Sequence, residues 1–150
     1  MATFISRSPE ETLQLGEQWG SEAPAGSVIG LTGDLGAGKT QLVKGIARGL
    51  GVSDRVHSPT FALLHEYRGG RLPLFHLDLY RLETHDQIAG AGLEEYLCQP
   101  EGVAVIEWAE RWFPKGSRIE ARGSRCTFRR VRIEVLGETE RRIHYENFGP

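Results

Sequence analysis

The sequence predicts an α/β fold: a central mixed, largely parallel sheet flanked by helices, with antiparallel strands towards the C-terminus. Three observations predict it. The apolar, β-branched runs VIGLT at 28–32 and VAVI at 103–106 have the character of strands buried on both faces. Segments with helical spacing interleave with such runs early in the chain. From residue 127 onward strand-like segments dominate, joined by a turn at Gly137. A chain of 150 residues is expected to form one domain over 1–150. With 39% hydrophobic and 25% charged residues it has the composition of an ordinary globular protein, with enough chain to bury a core without disulfides.

Each element has a local reason. Ser8 can cap a helix, Pro9 suits its first turn, and Glu11 completes a capping box. Leu13, Leu15 and Trp19 then supply an apolar face up to Gly20, and Pro24 and Gly26 mark a turn. After the strand 28–32 and the glycine-rich GDLGAGKT, a helix is expected over 40–50. Leu42, Val43, Ile46, Ala47 and Leu50 form its stripe and Gly51 its stop. Ser58-Pro59 marks a loop. The runs 61–67 and 72–77 flank Gly69-Gly70 as a hairpin. Thr84 to Gln87 is a second capping box, and the helical region continues to Leu97 before Gln99-Pro100-Glu101-Gly102 breaks it. Strands at 127–136 and 141–145 complete the list.

Composition narrows the function. Cys98 and Cys126 form no C-x-x-C pair, so two free thiols in a reducing cytoplasm are expected rather than a disulfide or zinc site. The N-terminal MATFISRSPEETL has no apolar run after a basic start, so no signal peptide is expected. No stretch approaches a membrane span. The five histidines show no i, i+4 pairing with a carboxylate base, which argues against a zinc hydrolase. The net charge of −2 is uneven: residues 118–150 hold eight arginines against five glutamates, +3, which leaves −5 for the rest. Such a basic end suits either a solvated strand pair or an anionic partner.

The stretch GDLGAGKT carries the chemistry. Gly33, Gly38, Lys39 and Thr40 match G-x-x-x-x-G-K-[ST], between an apolar strand and a helix, which is the context the motif requires. The glycines let successive N–H groups turn inward towards phosphate oxygens. The helix N-terminus adds unpaired N–H groups and its positive dipole end. Lys39 can place a charge on the β- and γ-phosphates, and the Thr40 hydroxyl can coordinate Mg²⁺. The fold class is thereby sharpened to P-loop NTPase-like. Hydrolysis also needs an acid for the metal and a group that positions water. Glu107 ends VAVIE and Asp78 ends LFHLD, both at the carboxyl ends of apolar runs. Thr60 can act as a switch threonine. No N-K-x-D stretch is present, which favours adenine over guanine.

In order, VIGLTGDLGAGKTQLVKGIARGLG, SPTFALLHEY, LFHLDLYRL, GLEEYL and VAVIEWAER resemble the TsaE (YjeE) family, small bacterial P-loop ATPases, over nearly the whole chain. The resemblance implies ATP and Mg²⁺ as ligands and slow ATP hydrolysis without partners. It implies a role in forming threonylcarbamoyladenosine at position 37 of tRNAs reading codons that start with A. It implies cytoplasmic TsaB-like and TsaD-like partners, with tRNA reached through the complex and no membrane. It makes Gly36, Ala37, Gly38, Lys39, Thr40 and Gln41 nucleotide-binding, with Thr12 near the base. It makes Thr40 and Glu107 metal ligands, and Asp78, Lys39 and Thr60 catalytic. Trp108 becomes a site wall or partner contact. Ala109 departs from the proline often found there, and the arginine-rich stretch carries no site role. Two other readings stay open: a P-loop small-molecule kinase with an arginine-rich lid, and a binding module gated by ATP without useful hydrolysis.

Overall fold

The computed structural model describes residues 2–33, 38–52, 64–79, 84–93, 96, 100–109 and 127–145. Its elements are β1 (Ala2–Ser6), α1 (Pro9–Glu22), β2 (Ser27–Thr32), α2 (Lys39–Leu50), β3 (Leu64–Tyr67), β4 (Leu74–Asp78), α3 (His85–Gly90), β5 (Val103–Glu107), β6 (Thr127–Val135) and β7 (Arg141–Tyr145). Among the described residues seven strands join one sheet in the order β1-β7-β6-β2-β5-β4-β3. The centre, β6-β2-β5-β4, is parallel. β3 pairs antiparallel with β4 at one edge, and β7 and β1 add antiparallel at the other. This is the mixed, largely parallel sheet expected from the sequence.

The central strands are continuous in apolar residues because both of their faces are covered. On one face Ile29, Leu31, Val103, Val105 and Leu74 meet Leu42, Val43, Ile46 and Leu50 of α2. On the other, Val28, Ala104, Ile106, Phe75 and Leu77 meet Leu93. Among the described residues no helix is long and apolar enough to cross a membrane.

α1 begins as expected, with Ser8 Oγ accepting from Glu11 N at 3.2 Å. The return bond of the capping box is displaced by one residue: Glu11 Oε1 accepts from Arg7 N. The second box is complete, with Gln87 N donating to Thr84 Oγ1 and Thr84 N to Gln87 Oε1. α3 ends at Gly90 and a turn follows; of the continuation expected from Leu93 to Leu97, Tyr96 is helical, and residues 94, 95 and 97 lie outside the described residues. β1 was not expected at all. Its five residues, ATFIS, are too short and too mixed to signal a strand, and their register comes from β7.

α1 lies unusually close to α2. Gly16 and Gly20 face Gly45 and Gly49, each pair spaced four residues apart and so on one helix face. A Cβ on Gly45 would sit 2.1 Å from the Leu13 carbonyl oxygen, and one on Gly49 2.1 Å from that of Glu17. A Cβ on Gly16 would sit 2.4 Å from the carbonyl oxygen of Leu42. The two backbones are therefore in contact, and only glycine fits. This contact anchors α2, the helix that opens with the phosphate-loop lysine. Gln41 Nε2 adds a bond to the Pro9 carbonyl at 3.2 Å, which ties the first turn of α2 to the start of α1.

Candidate nucleotide site

The carboxyl ends of β2, β4 and β5 form one edge of the sheet, and Asp78 and Glu107 end two of these strands there. β2 runs into Gly33, and α2 starts at Lys39 with Gly38 as its N-cap. Gly38 has φ +101°, a left-handed conformation that favours glycine, and it offers no side-chain cap. Leu42 N bonds back to Gly38 O at 3.1 Å. Helix geometry then leaves the N–H groups of Lys39, Thr40 and Gln41 without intrahelical acceptors, where an anion can take them.

Lys39 is 5% exposed, deep for a lysine. Its Nζ donates to the Gly33 carbonyl at 2.7 Å. The ammonium also lies 4.2 Å from the centre of the Trp108 ring, a cation–π contact. Trp108 is the residue after Glu107 and has φ +60°. A bulky residue held in that region costs roughly 1–3 kcal/mol. The conformation turns the indole from the end of β5 onto Lys39. This gives an expected outcome: nucleotide that draws Lys39 towards its phosphates will alter the emission of Trp108. Titrating ADP with Mg²⁺ should change tryptophan fluorescence in the wild type and much less in Trp108→Phe. An equal change in both would assign the signal to Trp19 or Trp112.

Two acids end strands at the same sheet edge. Asp78 and Glu107 are register partners at the ends of parallel β4 and β5, and Glu107 also faces Leu31 of β2. Glu107 is 4% exposed, and its Oε2 accepts from His76 Nε2 at 2.5 Å. Among the described residues its Oε1 makes no hydrogen bond, and neither does the Thr40 hydroxyl. Carboxylate and hydroxyl oxygens are the hard donors that Mg²⁺ takes, and Mg²⁺ needs only one or two from protein when a phosphate supplies others. The donor set therefore fits Mg²⁺.

Thr12 lies on α1 rather than on the sheet edge. It is buried, and its Oγ1 shares a 2.6 Å hydrogen bond with Ser6 Oγ. Ser6 Oγ donates to Ser8 O at 2.8 Å, so the hydrogen between the two hydroxyls belongs to Thr12. The structure thus brings Lys39, Asp78, Glu107 and Trp108 together, with Thr40 and Gln41 on the first turn of α2. Gly36, Ala37, Thr60 and the Ser58-Pro59 loop lie outside the described residues, as do Cys98 and Cys126.

Two residues were not singled out for this site by the sequence. His76 is one; its hydrogen-bond partner, Glu107, is 31 positions away along the chain. Arg141 is the other. A Cβ on Gly38 would lie 3.9 Å from Arg141 Nε, which puts this arginine at the end of the phosphate loop. Its Nη1 donates to the carbonyls of Gly137 and Glu140. No local sequence signal could have found it, since β7 reaches α2 only through the strand order.

Other members of the basic end are structurally engaged. Arg129 lies over the Trp19 ring at 5.1 Å, and burial lowers its pKa. Arg132 pairs with Glu134 at 3.3 Å. Glu134 also accepts from His144, and that bond holds its carboxyl below the usual carboxylate range.

The profile of the family described as threonylcarbamoyl adenosine biosynthesis protein TsaE matches residues 6–143. A Nostoc protein named tRNA threonylcarbamoyladenosine biosynthesis protein TsaE is 51% identical over 74% of this chain and 70% of its own length. The Bacillus subtilis protein of that name is 47% identical over 95% of this chain and 83% of its own. The crystal structure of Bacillus subtilis YdiB superposes with a TM-score of 0.74 at 34% identity, covering 99% of this chain and 86% of that one.

Proposed function

The chain belongs to the TsaE family, and from that premise we propose that it binds ATP with Mg²⁺ and hydrolyses it in support of threonylcarbamoyladenosine formation on tRNA. The observation that carries the reading is the buried Lys39 at the sheet edge where Asp78 and Glu107 end neighbouring strands. Lys39 exchanges the Gly33 carbonyl for the β- and γ-phosphates. The first-turn N–H groups of α2 receive phosphate oxygens. Thr40 and Glu107 would hold Mg²⁺, which supplies charge neutralisation on the phosphates. Asp78 orients the attacking water, and the products are ADP and inorganic phosphate. Thr60 answers to the γ-phosphate. The modified nucleotide is at position 37 of tRNAs that read codons starting with A, in the cytoplasm.

The energy goes into a docking cycle with a TsaB–TsaD-like pair. ATP favours the docked state and hydrolysis resets it. Such a switch works only through differential affinity, and roughly 5.5 kcal/mol separates 1:99 from 99:1 populations. tRNA is reached through that complex, where any contact from the basic end would weaken as salt rises. Among the described residues, Arg129, Arg132 and Arg141 are engaged within the fold rather than arrayed as a kinase lid, while Arg118, Arg122 and Arg125 lie outside the described residues.

Three measurements test this. Partner affinity should differ between ATP analogue, ADP and no nucleotide; identical values would reject gating. Glu107→Ala should weaken nucleotide binding only when Mg²⁺ is present, because a ligand acts through its metal. Asp78→Ala should instead lower turnover more than affinity. Equal loss with and without metal for Glu107→Ala would move the metal role elsewhere.

A further inference from the structure

We propose that His76 is a positioning residue that presents Glu107 to the metal through one oxygen only, and so sets the Mg²⁺ requirement of the site. The inference rests on the nucleotide-site reading above. On β4, Leu74, His76 and Asp78 share the sheet face covered by α2. His76 is in register with Val105, one row below the Asp78–Glu107 pair. The imidazole reaches diagonally across to β5, and Nε2 meets Glu107 Oε2 at 2.5 Å.

Packing does not account for this histidine. It is 0% exposed, and apolar Leu74, Val103 and Val105 lie on the same face. A leucine would suit those neighbours at lower desolvation cost, since a buried polar group costs roughly 1–3 kcal/mol unless hydrogen-bonded. Among the described residues its Nδ1 is buried with no hydrogen-bond partner. The ring therefore carries an orphaned nitrogen for the sake of the bond at Nε2. A carboxylate only accepts, so Nε2 bears the hydrogen and the tautomer is assigned by that contact.

The consequence falls on Glu107. Its terminal torsion is intrinsically soft and two-fold. The bond to His76 fixes the carboxylate plane and occupies Oε2, which leaves Oε1 for a ligand. One rigid oxygen suits Mg²⁺, which demands near-octahedral geometry at short distances. Ca²⁺ tolerates mono- or bidentate carboxylates and irregular shells. Partners behind a ligating side chain typically change metal affinity 10–100-fold when removed.

The test is equilibrium binding of ADP, with Mg²⁺ or Ca²⁺ titrated in, for the wild type, His76→Leu, His76→Gln, His76→Asn and Glu107→Ala. Thermal melts check the fold. The Gln amide nitrogen reaches the place of imidazole Nε2, whereas that of Asn reaches only the place of Nδ1. His76→Leu and His76→Asn should raise the Mg²⁺ concentration for half-saturation by about tenfold or more. His76→Gln should stay within about threefold of wild type. The Ca²⁺ requirement should move less, and metal-free ADP affinity should stay unchanged. An unchanged Mg²⁺ requirement in folded His76→Asn or His76→Leu overturns the proposal. So does an equal loss of Mg²⁺-dependent, Ca²⁺-dependent and metal-free binding, which is what simple structural damage would give. Should the leucine variant not fold, the Gln and Asn pair decides alone. A wild type whose ADP binding ignores Mg²⁺ overturns the nucleotide-site reading itself, and this proposal with it. Loss of the Mg²⁺ effect in Glu107→Ala but not at position 76 overturns only the role of His76.

Discussion

Gly45→Ala is expected to destabilise the protein by about 3 kcal/mol or more, the upper range for overpacking. Intrinsic propensity points the other way: alanine in a helix interior is favoured over glycine by roughly 1 kcal/mol. The contact decides the sign. The added methyl carbon would lie 2.1 Å from the Leu13 carbonyl oxygen and 3.0 Å from Glu17 N. Both are backbone atoms of α1, so no side chain can rotate aside. The helices must separate or shift, and the separation uncovers Leu42, Val43 and Ile46 from their packing. A total stability of some 5–15 kcal/mol leaves little margin for that. Urea unfolding of Gly45→Ala beside an exposed control, Lys44→Ala, measures it. An unchanged or raised midpoint for Gly45→Ala would show that the helix contact is looser than described.

Lys39→Ala is expected to lower ATP turnover at least about a hundredfold, the usual cost of removing one preorganised donor from a transition state. The ammonium is already buried, and it sits on the Gly33 carbonyl and the Trp108 face. Moving it onto a phosphate therefore needs little further desolvation. The fold should survive, because Lys39 is at the first residue of α2 and its polar partner is a single carbonyl. Steady-state turnover with a melting curve on the same sample checks both halves. A folded variant with wild-type turnover would remove the phosphate-loop assignment.

The parts of this molecule that could be read from its sequence are those with local causes. The runs 28–32 and 103–106 are continuous in apolar residues because parallel strands are covered on both faces, and both became central strands. Ser8 and Thr84 cap helices through bonds to residues three positions on. Gly38 and Lys39 carry a pattern that only a strand–loop–helix context explains. The parts that could not be read have distant causes. β1 is a strand because β7 is beside it. Gly16, Gly20, Gly45 and Gly49 have a cause that appears only when α1 meets α2. His76 and Arg141 reach the site through sheet order, across separations that no spacing rule covers. Asp78 and Glu107 were placed at strand ends by their runs, but that they stand in register on neighbouring strands is a fact of topology.

The central claim is that this sheet edge transfers the γ-phosphate of ATP to water. ATP labelled in the γ-phosphate, incubated with the protein and Mg²⁺ without any acceptor, tests it most directly. The label should appear as inorganic phosphate in step with ADP, and both should vanish in Lys39→Ala. Absence of free phosphate from the wild type, both alone and with a TsaB–TsaD-like pair present, or label carried onto a small molecule instead, would contradict it.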